Sequence, residues 1–206
     1  KNGLNSNYVY RIYVDRYGLF WIINDLKGIL CFNPDNKLFK YFSLHSELRE
    51  NIMEGEKYVI YEDRNNNFWI STYGSGLFLY NRNKDEFISF LHDKYNANTI
   101  SSNFILSICE DNSSNLWIGT RNGGVNKFRL NDEIFININL ESDNSNSYEN
   151  EVRSIAKDKK NRIWVGTKGG NLICYKENFQ SPLYINLKTG VRFVKSGIYA
   201  LFVDSK

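Results

Sequence analysis

Residues 111–128 read DNSSNLWIGTRNGGVNKF, and near-copies of this stretch occur at three other places in the chain. The copies are DRYGLFWIINDLKGILCF at 15–32, DRNNNFWISTYGSGLFLY at 63–80 and DKKNRIWVGTKGGNLICY at 158–175. Each has an aspartate six residues before a tryptophan and an aromatic residue eleven residues after it. The four tryptophans are 48, 48 and 47 residues apart: Trp21, Trp69, Trp117 and Trp164. A fixed period of about fifty residues indicates a solenoid, a propeller or another repeat array.

Each period contains four short runs rich in Val, Ile, Tyr and Phe, which are too short for helices and predict β-strands. The first run precedes the aspartate, the second contains the tryptophan, the third ends at the aromatic residue, and the fourth follows it. The first runs are 8–14, 57–62, 104–110 and 152–157, and the fourth are 38–42, 86–91, 134–140 and 183–187. Four antiparallel strands per repeat form a propeller blade, and the helical periodicity of ankyrin or armadillo arrays is absent. We therefore predict an all-β fold, a partial β-propeller.

The repeats divide the chain into four blades and a remainder. Within one partial propeller, 1–206, the predicted units are blade one (about 1–50), blade two (about 51–98), blade three (about 99–146), blade four (about 147–193) and the first strand of a fifth blade (about 194–206). The remainder is assigned because GIYALFVD at 197–204 reproduces a first strand and its aspartate. We expect a section of a larger propeller, whose uncovered flanks self-associate or pack against the remaining blades of the parent.

Blade one departs from the others two residues after its tryptophan. It has Ile23-Asn24 where the other blades have a small residue followed by threonine: Ser71-Thr72, Gly119-Thr120 and Gly166-Thr167. A small residue in a strand allows a neighbouring backbone to approach closely. We therefore expect blade one to pack less regularly.

Composition narrows the classes of partner. The chain is 42% hydrophobic and carries a net charge of +3, with both signs mixed along its length. The densest basic cluster, from Arg153 to Lys168, falls in and around a turn and is interpreted as a solvated face. Because there is no basic stripe, no nucleic-acid partner is expected. No apolar run reaches the roughly 18 residues of a membrane span, so no direct membrane contact is expected of this chain.

The cysteines and histidines offer no metal or catalytic site. Cys31, Cys109 and Cys174 lie in apolar runs and are predicted to be small core residues. Their spacing matches no metal site, so we predict no metal and no cofactor. His45 and His92 follow fourth strands and are interpreted as surface residues. No Ser-His-Asp set or carboxylate pair is evident, and no catalytic residue is predicted.

The turn between aspartate and tryptophan has some likeness to a calcium loop. Residues 63–67 and 111–115 place side-chain oxygens at positions 1, 3 and 5. However, Phe68 and Leu116 stand at position 6, where an EF-hand needs glycine, and no glutamate follows at position 12. We favour a turn that the aspartate carboxylate caps and that contains a residue tolerant of left-handed geometry: Gly18, Asn66 or Asn161. The glycines at 120–124 and 167–170 are interpreted as hairpin turns rather than a phosphate cradle.

Positions that vary between repeats are the best candidates for ligand binding. Four residues after the tryptophans stand Asp25, Tyr73, Arg121 and Lys168. They fall on the turns between second and third strands, which in propellers open on the face that carries the loops between blades. An acid, an aromatic and two cations on one rim would form a polar surface with a stacking platform. The alternative is that exposed turn tips simply vary.

The pattern D-x5-W-[IV]-[GS]-T with a following glycine resembles the two-component regulator propeller repeat. The resemblance covers all four blades and is most specific at 110–128 and 157–175. It implies the extracytoplasmic sensor of a membrane-bound histidine kinase, periplasmic or extracellular, without catalysis of its own. Many such sensors detect oligosaccharides, so the resemblance implies an oligosaccharide or another small ligand. The repeat motif is structural, and no binding residue is carried over from it.

Three functions remain open on the sequence. A sensor module predicts a membrane helix and a kinase in the same reading frame. A protein-binding scaffold predicts an exposed apolar patch. A propeller lyase or hydrolase predicts a histidine-centred site in the central channel, which the two loop histidines do not obviously supply.

Overall fold

A computed structural model of the chain describes residues 8–24, 28–44, 58–72, 74–130, 132–140, 148–176, 182–185 and 197–204. Within these residues the chain forms sixteen β-strands, and no helix is long and apolar enough to cross a membrane.

The strands fall into four groups of four. Blade one contains β1 (Val9–Val14), β2 (Phe20–Asn24), β3 (Gly28–Asn33) and β4 (Leu38–Ser43). Blade two contains β5 (Val59–Glu62), β6 (Phe68–Thr72), β7 (Gly76–Asn81) and β8 (Glu86–Phe90). Blade three contains β9 (Ile105–Glu110), β10 (Asn115–Thr120), β11 (Val125–Arg129) and β12 (Ile134–Ile138). Blade four contains β13 (Val152–Lys157), β14 (Ile163–Thr167), β15 (Leu172–Tyr175) and β16 (Leu183–Ile185).

Each group forms its own sheet, in which the strands lie in sequence order. Neighbouring strands are antiparallel; for example, Trp117 pairs with Cys109 on β9 and with Lys127 on β11. This topology confirms the predicted all-β propeller blades. The boundaries between blades stay a prediction, because most of the loops in which they fall lie outside the described residues.

The chain divides into two compact units, Lys1–Ser89 and Phe90–Lys206. In the first unit, Trp21 of blade one stacks on Phe68 of blade two with ring centroids 4.4 Å apart. In the second unit, Trp117 of blade three lies 6.0 Å from the ring of Tyr175 in blade four. Both tryptophans are fully buried. The repeated tryptophan therefore packs each blade against the next one within its unit.

The small residue two positions after the tryptophan makes room for the next repeat. A Cβ atom added to Gly119 would lie 2.5 Å from Cγ1 of Val152, and one added to Gly166 would lie 2.6 Å from Cγ2 of Ile198. Val152 and Ile198 both stand six residues before the aspartate of their repeat. The expected approach of a neighbouring backbone is wrong at these two glycines, because the atoms that come closest belong to side chains. In blade one the corresponding Ile23 is buried in the core of the first unit.

Residues 197–204, where we predicted the first strand of a fifth blade, form no assigned strand. A first strand pairs with the second strand of its own blade. None of the described residues forms a second strand of a fifth blade. Ile198 nevertheless donates a backbone hydrogen bond to Thr167 O at 2.9 Å. The segment thus lies against blade four, and its identity as a fifth first strand stays a prediction.

Candidate functional site

The two ends of a blade carry different chemistry. The turn end contains the turn between the first and second strands, with the repeated aspartate. The rim end contains the start of the first strand and the turn that follows the second strand. Strand register places the start of the first strand beside the end of the second strand. Ile105 pairs with Thr120 in blade three, and Val152 pairs with Thr167 in blade four.

At the turn end, the aspartate holds both its own turn and the tryptophan. In blade three, Asp111 Oδ1 accepts hydrogen bonds from the backbone N–H groups of Ser113 at 2.9 Å and Asn115 at 3.0 Å. Its Oδ2 accepts one from Trp117 Nε1 at 2.9 Å. The same three bonds occur in the other blades, around Asp15, Asp63 and Asp158. We call this arrangement the Asp–Trp clasp.

The clasp explains the composition of the turn. Its fourth residue has a positive φ in every blade: Gly18 (78°), Asn66 (63°), Ser114 (60°) and Asn161 (57°). The predicted capped turn is therefore confirmed, and Ser114 joins the three residues expected in left-handed geometry. Both carboxylate oxygens accept N–H bonds, so the aspartate has a structural role in place of the calcium-loop alternative.

In blades three and four, hydrogen bonding lowers the pKa of the clasp aspartate. Burial raises the pKa of the Asp111 carboxyl, but bonds from Trp117, Asn115 and Ser113 outweigh it, so the net pKa lies below the ordinary value. For Asp158, burial also raises the pKa, but the hydrogen bonds from Trp164 and Arg162 outweigh it and lower the pKa to about 2.

At the rim end, the structure describes two of the four candidate ligand residues. Asp25 and Tyr73 lie outside the described residues. Arg121 is partly exposed; its N–H donates to Phe104 O at 2.9 Å, and its guanidinium lies 5.7 Å from the centre of the Phe104 ring. This contact holds Arg121 beside the start of the first strand of its own blade.

Lys168 occupies the same place in blade four with different partners. Its N–H donates to Glu151 O at 2.9 Å. Its Nζ lies 3.2 Å from Glu151 Oε2 and 4.2 Å from the centre of the Tyr148 ring. The rims of blades three and four are joined, because Gly124 N donates to Asn150 O at 3.2 Å. The structure thus places Arg121 and Lys168 at the same end of adjacent blades.

The rim of blade four contains further residues that the tryptophan alignment missed. Glu151 is only 3% exposed, and Arg153 forms an ion pair with it. The Arg153 guanidinium lies 5.2 Å from the centre of the Tyr199 ring, which is 61% exposed. Alignment of the first strands by their aspartates would have found this difference, since blade three has Phe104 in place of Glu151.

The rim of the second unit therefore combines a buried carboxylate, cations held over aromatic rings, and exposed tyrosine surface. Glu149 adds a second, partly exposed carboxylate beside Tyr148. Such a surface offers donors, acceptors and a stacking platform together. A small ligand with many hydroxyl or charged groups suits this chemistry.

The glycine turns beside these residues are hairpins, as predicted. Thr120 N donates to Gly124 O at 3.0 Å, and Gly123 N donates to Thr120 Oγ1 at 3.0 Å. In blade four, Gly170 N donates to Thr167 O at 3.1 Å. These bonds close the turn on itself, so its backbone does not form a phosphate cradle.

Cys31 and Cys174 are buried, as predicted, whereas Cys109 is only partly buried and packs against the core of the second unit. His92 is exposed in a loop with Nδ1 2.8 Å from Ile100 O, and His45 lies outside the described residues. All three cysteines are free. Burial chiefly raises the pKa of Cys31 and of Cys109 to about 12, which makes both thiols poor nucleophiles.

A cleft of about 450 Å³ in the first unit is a second candidate site, which the sequence did not indicate. Its lining includes Leu19, Cys31, Phe39, Lys40, Tyr80 and Asp85. Tyr80 donates to Asp85 Oδ1 at 2.5 Å, and Lys40 forms an ion pair with the other oxygen. The volume is in the range of small-molecule sites, roughly 300–1,000 Å³. Two adjacent blades contribute these residues, so no single repeat contains the pattern.

Comparison with known proteins identifies the repeat. A family model described as "Two component regulator propeller" matches the chain four times, at residues 3–25, 53–74, 99–122 and 149–169. Each match contains the clasp aspartate and tryptophan of one blade. A comparison with curated proteins found no match.

Solved structures share the fold. One, described as the extracellular domain of a one component system from B. thetaiotaomicron, has a TM-score of 0.66 and 19% identity, over 100% of this chain and 26% of that one. Another, described as the extracellular domain of a hybrid two component system from the same organism, has a TM-score of 0.55 and 20% identity, over 90% of this chain and 30% of that one.

An enzyme shares the fold as well. The virginiamycin B lyase from Staphylococcus aureus has a TM-score of 0.62 and 15% identity, over 92% of this chain and 59% of that one. At such identities the likeness shows the propeller fold alone. The chain spans about a quarter of the length of the first of these structures.

Proposed function

The chain belongs to the two component regulator propeller repeat family, and from that premise we propose that it is a non-catalytic, ligand-sensing section of a two-component sensor histidine kinase. It lies in the extracytoplasmic region of that receptor, on the periplasmic or extracellular side of a bacterial membrane. The observation that carries this proposal is the family match in all four blades, which includes the family's Asp and Trp each time.

The ligand of this section is an oligosaccharide that binds at the rim. The support is chemical. Tyr148 and Tyr199 are 48% and 61% exposed beside the paired charges of Glu151, Arg153 and Lys168. Saccharides present apolar ring faces and hydroxyl groups, and exposed tyrosine rings next to fixed donors and acceptors complement both. Asp25 and Tyr73 lie outside the described residues, and they stay predicted ligand residues.

Two other functions compete with this proposal. A protein-binding scaffold is favoured by one observation, the exposed apolar residues of β1, which include Ile12 at 55% and Val14 at 50%. A lyase or hydrolase would share its fold with the S. aureus enzyme. The described histidine, His92, lies on an exposed loop beside a backbone carbonyl, and no described feature favours catalysis by it.

Titration calorimetry with a panel of neutral and acidic oligosaccharides tests the sensing role. We expect at least one member to bind, and we expect Arg121→Ala and Lys168→Ala each to weaken its binding about tenfold, which corresponds to about 1.4 kcal/mol. Lys40→Ala in the cleft is the matched control and leaves the affinity unchanged.

The outcomes separate the two candidate sites. Loss of binding in Lys40→Ala alone moves the ligand to the cleft and overturns the rim. If no oligosaccharide binds, the proposed ligand class is wrong. A reading frame around this chain that encodes no membrane helix and no kinase removes the sensor proposal itself.

A further inference from the structure

The cleft between blades one and two joins buried apolar surface to charged groups that solvent can reach. Its volume is about 450 Å³. Cys31, Phe42 and Tyr80 in its lining are buried. Lys40 and Asp85, which form an ion pair, have side chains that are 48% and 52% exposed. The cleft is therefore open to a molecule from solution.

The lysine of the cleft is peculiar to blade one. Lys40 stands nineteen residues after Trp21. The equivalent position is apolar in the other blades, where it holds Ile88, Ile136 and Leu183. Strand pairing agrees with this alignment, since Lys40 lies opposite Cys31 and Leu183 lies opposite Cys174. A blade therefore forms with an apolar residue here, and the lysine is a property of this cleft.

Blade two fixes the position of this lysine. Lys40 Nζ donates to Asp85 O at 2.8 Å and forms an ion pair with Asp85 Oδ2. Tyr80 donates to Asp85 Oδ1 at 2.5 Å, so both carboxylate oxygens are held. The ammonium also lies 4.6 Å from the centre of the Phe42 ring. An ammonium has three N–H donors, and the third one has no acceptor among the described residues.

Two asparagines of the turn between β3 and β4 add further donors. Asn33 Oδ1 accepts a hydrogen bond from Asp35 N at 2.9 Å, and Asn36 Oδ1 accepts one from Leu38 N at 3.0 Å. These backbone donors fix which end of each side-chain amide is the oxygen. Both asparagines line the cleft, and their Nδ2 groups make no hydrogen bond to a described residue.

The cleft thus has open donors, whereas its acceptors are already in use. Lys40 and the two amides retain N–H groups, while the oxygens of Asp85 and of both amides accept the bonds described above. Such a site favours a ligand group that accepts several N–H bonds at once, as a carboxylate does. The apolar lining, which includes Leu19, Phe39 and Phe42, suits a flat apolar body.

We propose that this cleft binds a small carboxylic acid with a planar apolar body, whose carboxylate accepts hydrogen bonds from Lys40, Asn33 and Asn36. The volume is within the range of small-molecule sites, roughly 300–1,000 Å³. The charge of Lys40 strengthens its bond to a carboxylate more than its bond to a neutral acceptor. The proposal rests on the cleft alone and does not depend on the sensing role or on the rim.

Nuclear magnetic resonance of the intact chain tests the proposal with three planar acids: benzoate, cinnamate and 2-naphthoate. The side-chain NH₂ signals of Asn33 and Asn36 should shift along one saturable curve with at least one acid. The primary amide of that acid has nearly the same shape and no charge, and we expect it to bind about tenfold more weakly or worse. The NH₂ signal of Asn96, in a loop of the second unit, should not move.

Substitutions by aspartate separate the donors from the fold. Asn33→Asp and Asn36→Asp each keep the oxygen that caps the turn and replace the amide donor with a carboxylate oxygen, so each should lower the affinity about tenfold or more. Asn96→Asp is the matched control, because Asn96 Oδ1 accepts a bond from Asn98 N at 3.0 Å in a turn that does not line the cleft. It should leave the affinity unchanged. Lys40→Ile introduces the residue of blades two and three, and should also lower the affinity about tenfold.

Three results would overturn the proposal. One is the absence of saturable shifts with all three acids, which leaves the pair of Lys40 and Asp85 as a link between blades. Another is equal affinity for an acid and its amide, since the open donors would then not select a carboxylate. The third is an affinity that all three cleft substitutions leave unchanged while the melting temperature stays that of the original chain.

Discussion

The turn end and the rim end of blades three and four lie on the same strands, yet they differ in how closely the blades agree. At the turn end, Asp111 and Asp158 make the same three hydrogen bonds to equivalent partners. At the rim end, Arg121 lies over Phe104, whereas Lys168 pairs with Glu151. Equivalent backbones thus carry uniform chemistry at one end and variable chemistry at the other.

The difference separates folding from recognition. The clasp ties a turn to the repeated tryptophan, which is buried in blades one, two and three, so the connection supports the packing of those blades. A rim side chain is not needed for the blade to fold, so it is free to differ and to contact a ligand. Mutations at the two ends should therefore have opposite effects on stability and on binding.

Loss of a clasp carboxylate should have the largest effect on stability. Asp111→Ala removes the carboxylate that accepts hydrogen bonds from Trp117 Nε1 and from two backbone N–H groups. We expect about 3–5 kcal/mol of destabilisation in urea unfolding. Asp132→Ala is the control, since its exposed ion pair with Arg129 should contribute less than about 1 kcal/mol. A similar loss of unfolding free energy in both variants would contradict the structural role of the clasp carboxylate.

Addition of a methyl group at the close approach between blades should come next. Gly119→Ala places Cβ against Val152 and against Ser107 Oγ, and should cost about 1–3 kcal/mol. At the rim, a Cβ on Gly169 meets its nearest atom, Tyr148 O, at 3.3 Å, so Gly169→Ala should change stability by less than about 1 kcal/mol. Denaturant midpoints of the two variants measure this difference in stability. Equal shifts of the two midpoints would contradict the prediction.

Acid should weaken the turn end. The carboxyls of Asp111 and Asp158 have pKa values below the ordinary value of roughly 3.9, and that of Asp158 is about 2. A lowered pKa in the folded state stabilises the protein above the unfolded-state pKa, and this contribution is lost as pH falls toward the folded-state pKa. We expect thermal stability to decrease between about pH 5 and pH 2. Asp158→Asn should flatten part of this decrease, and a profile identical to that of the unmodified chain would contradict the assignment.

The smallest effect on stability should come from the rim. Lys168→Ala leaves Glu151 paired with Arg153, and Arg121→Ala removes a contact with one aromatic ring. Each should change the free energy of unfolding by less than about 1 kcal/mol. Denaturation measured beside the ligand titrations checks that any loss of binding is local. A large loss of stability would place these residues in the structural part of the blade.

The sequence predicted the clasp only in part. The capped turn followed from Asp111 and the residues after it, because such turns depend on local backbone bonding. The bond to Trp117 was not predicted, although the spacing of six residues recurs in every blade. It depends on the strand register that returns the tryptophan to the start of its turn.

The rim and the cleft were less accessible from the sequence. Arg121 and Lys168 were proposed because they vary at a repeated position, but Glu151 and Arg153 lie at the start of the first strand, 17 and 15 residues before Lys168. The cleft brings Lys40 of blade one to Asp85 of blade two. The cleft therefore joins two repeats, whereas the rim charges lie in one repeat but on separate elements of its sheet.

The sequence by itself determined the repeat, the four strands of each blade, the capped turn and the hairpins, because all of these rest on local hydrogen bonding and on alternating burial within a few residues. Only the tertiary structure decided which side chains meet: Val152 over Gly119, Lys168 beside Glu151, and the flank of β1 left exposed. Those contacts join strands of one blade or of successive blades. They depend on how whole sheets pack, and a pattern within a few residues does not encode contacts between residues far apart in sequence.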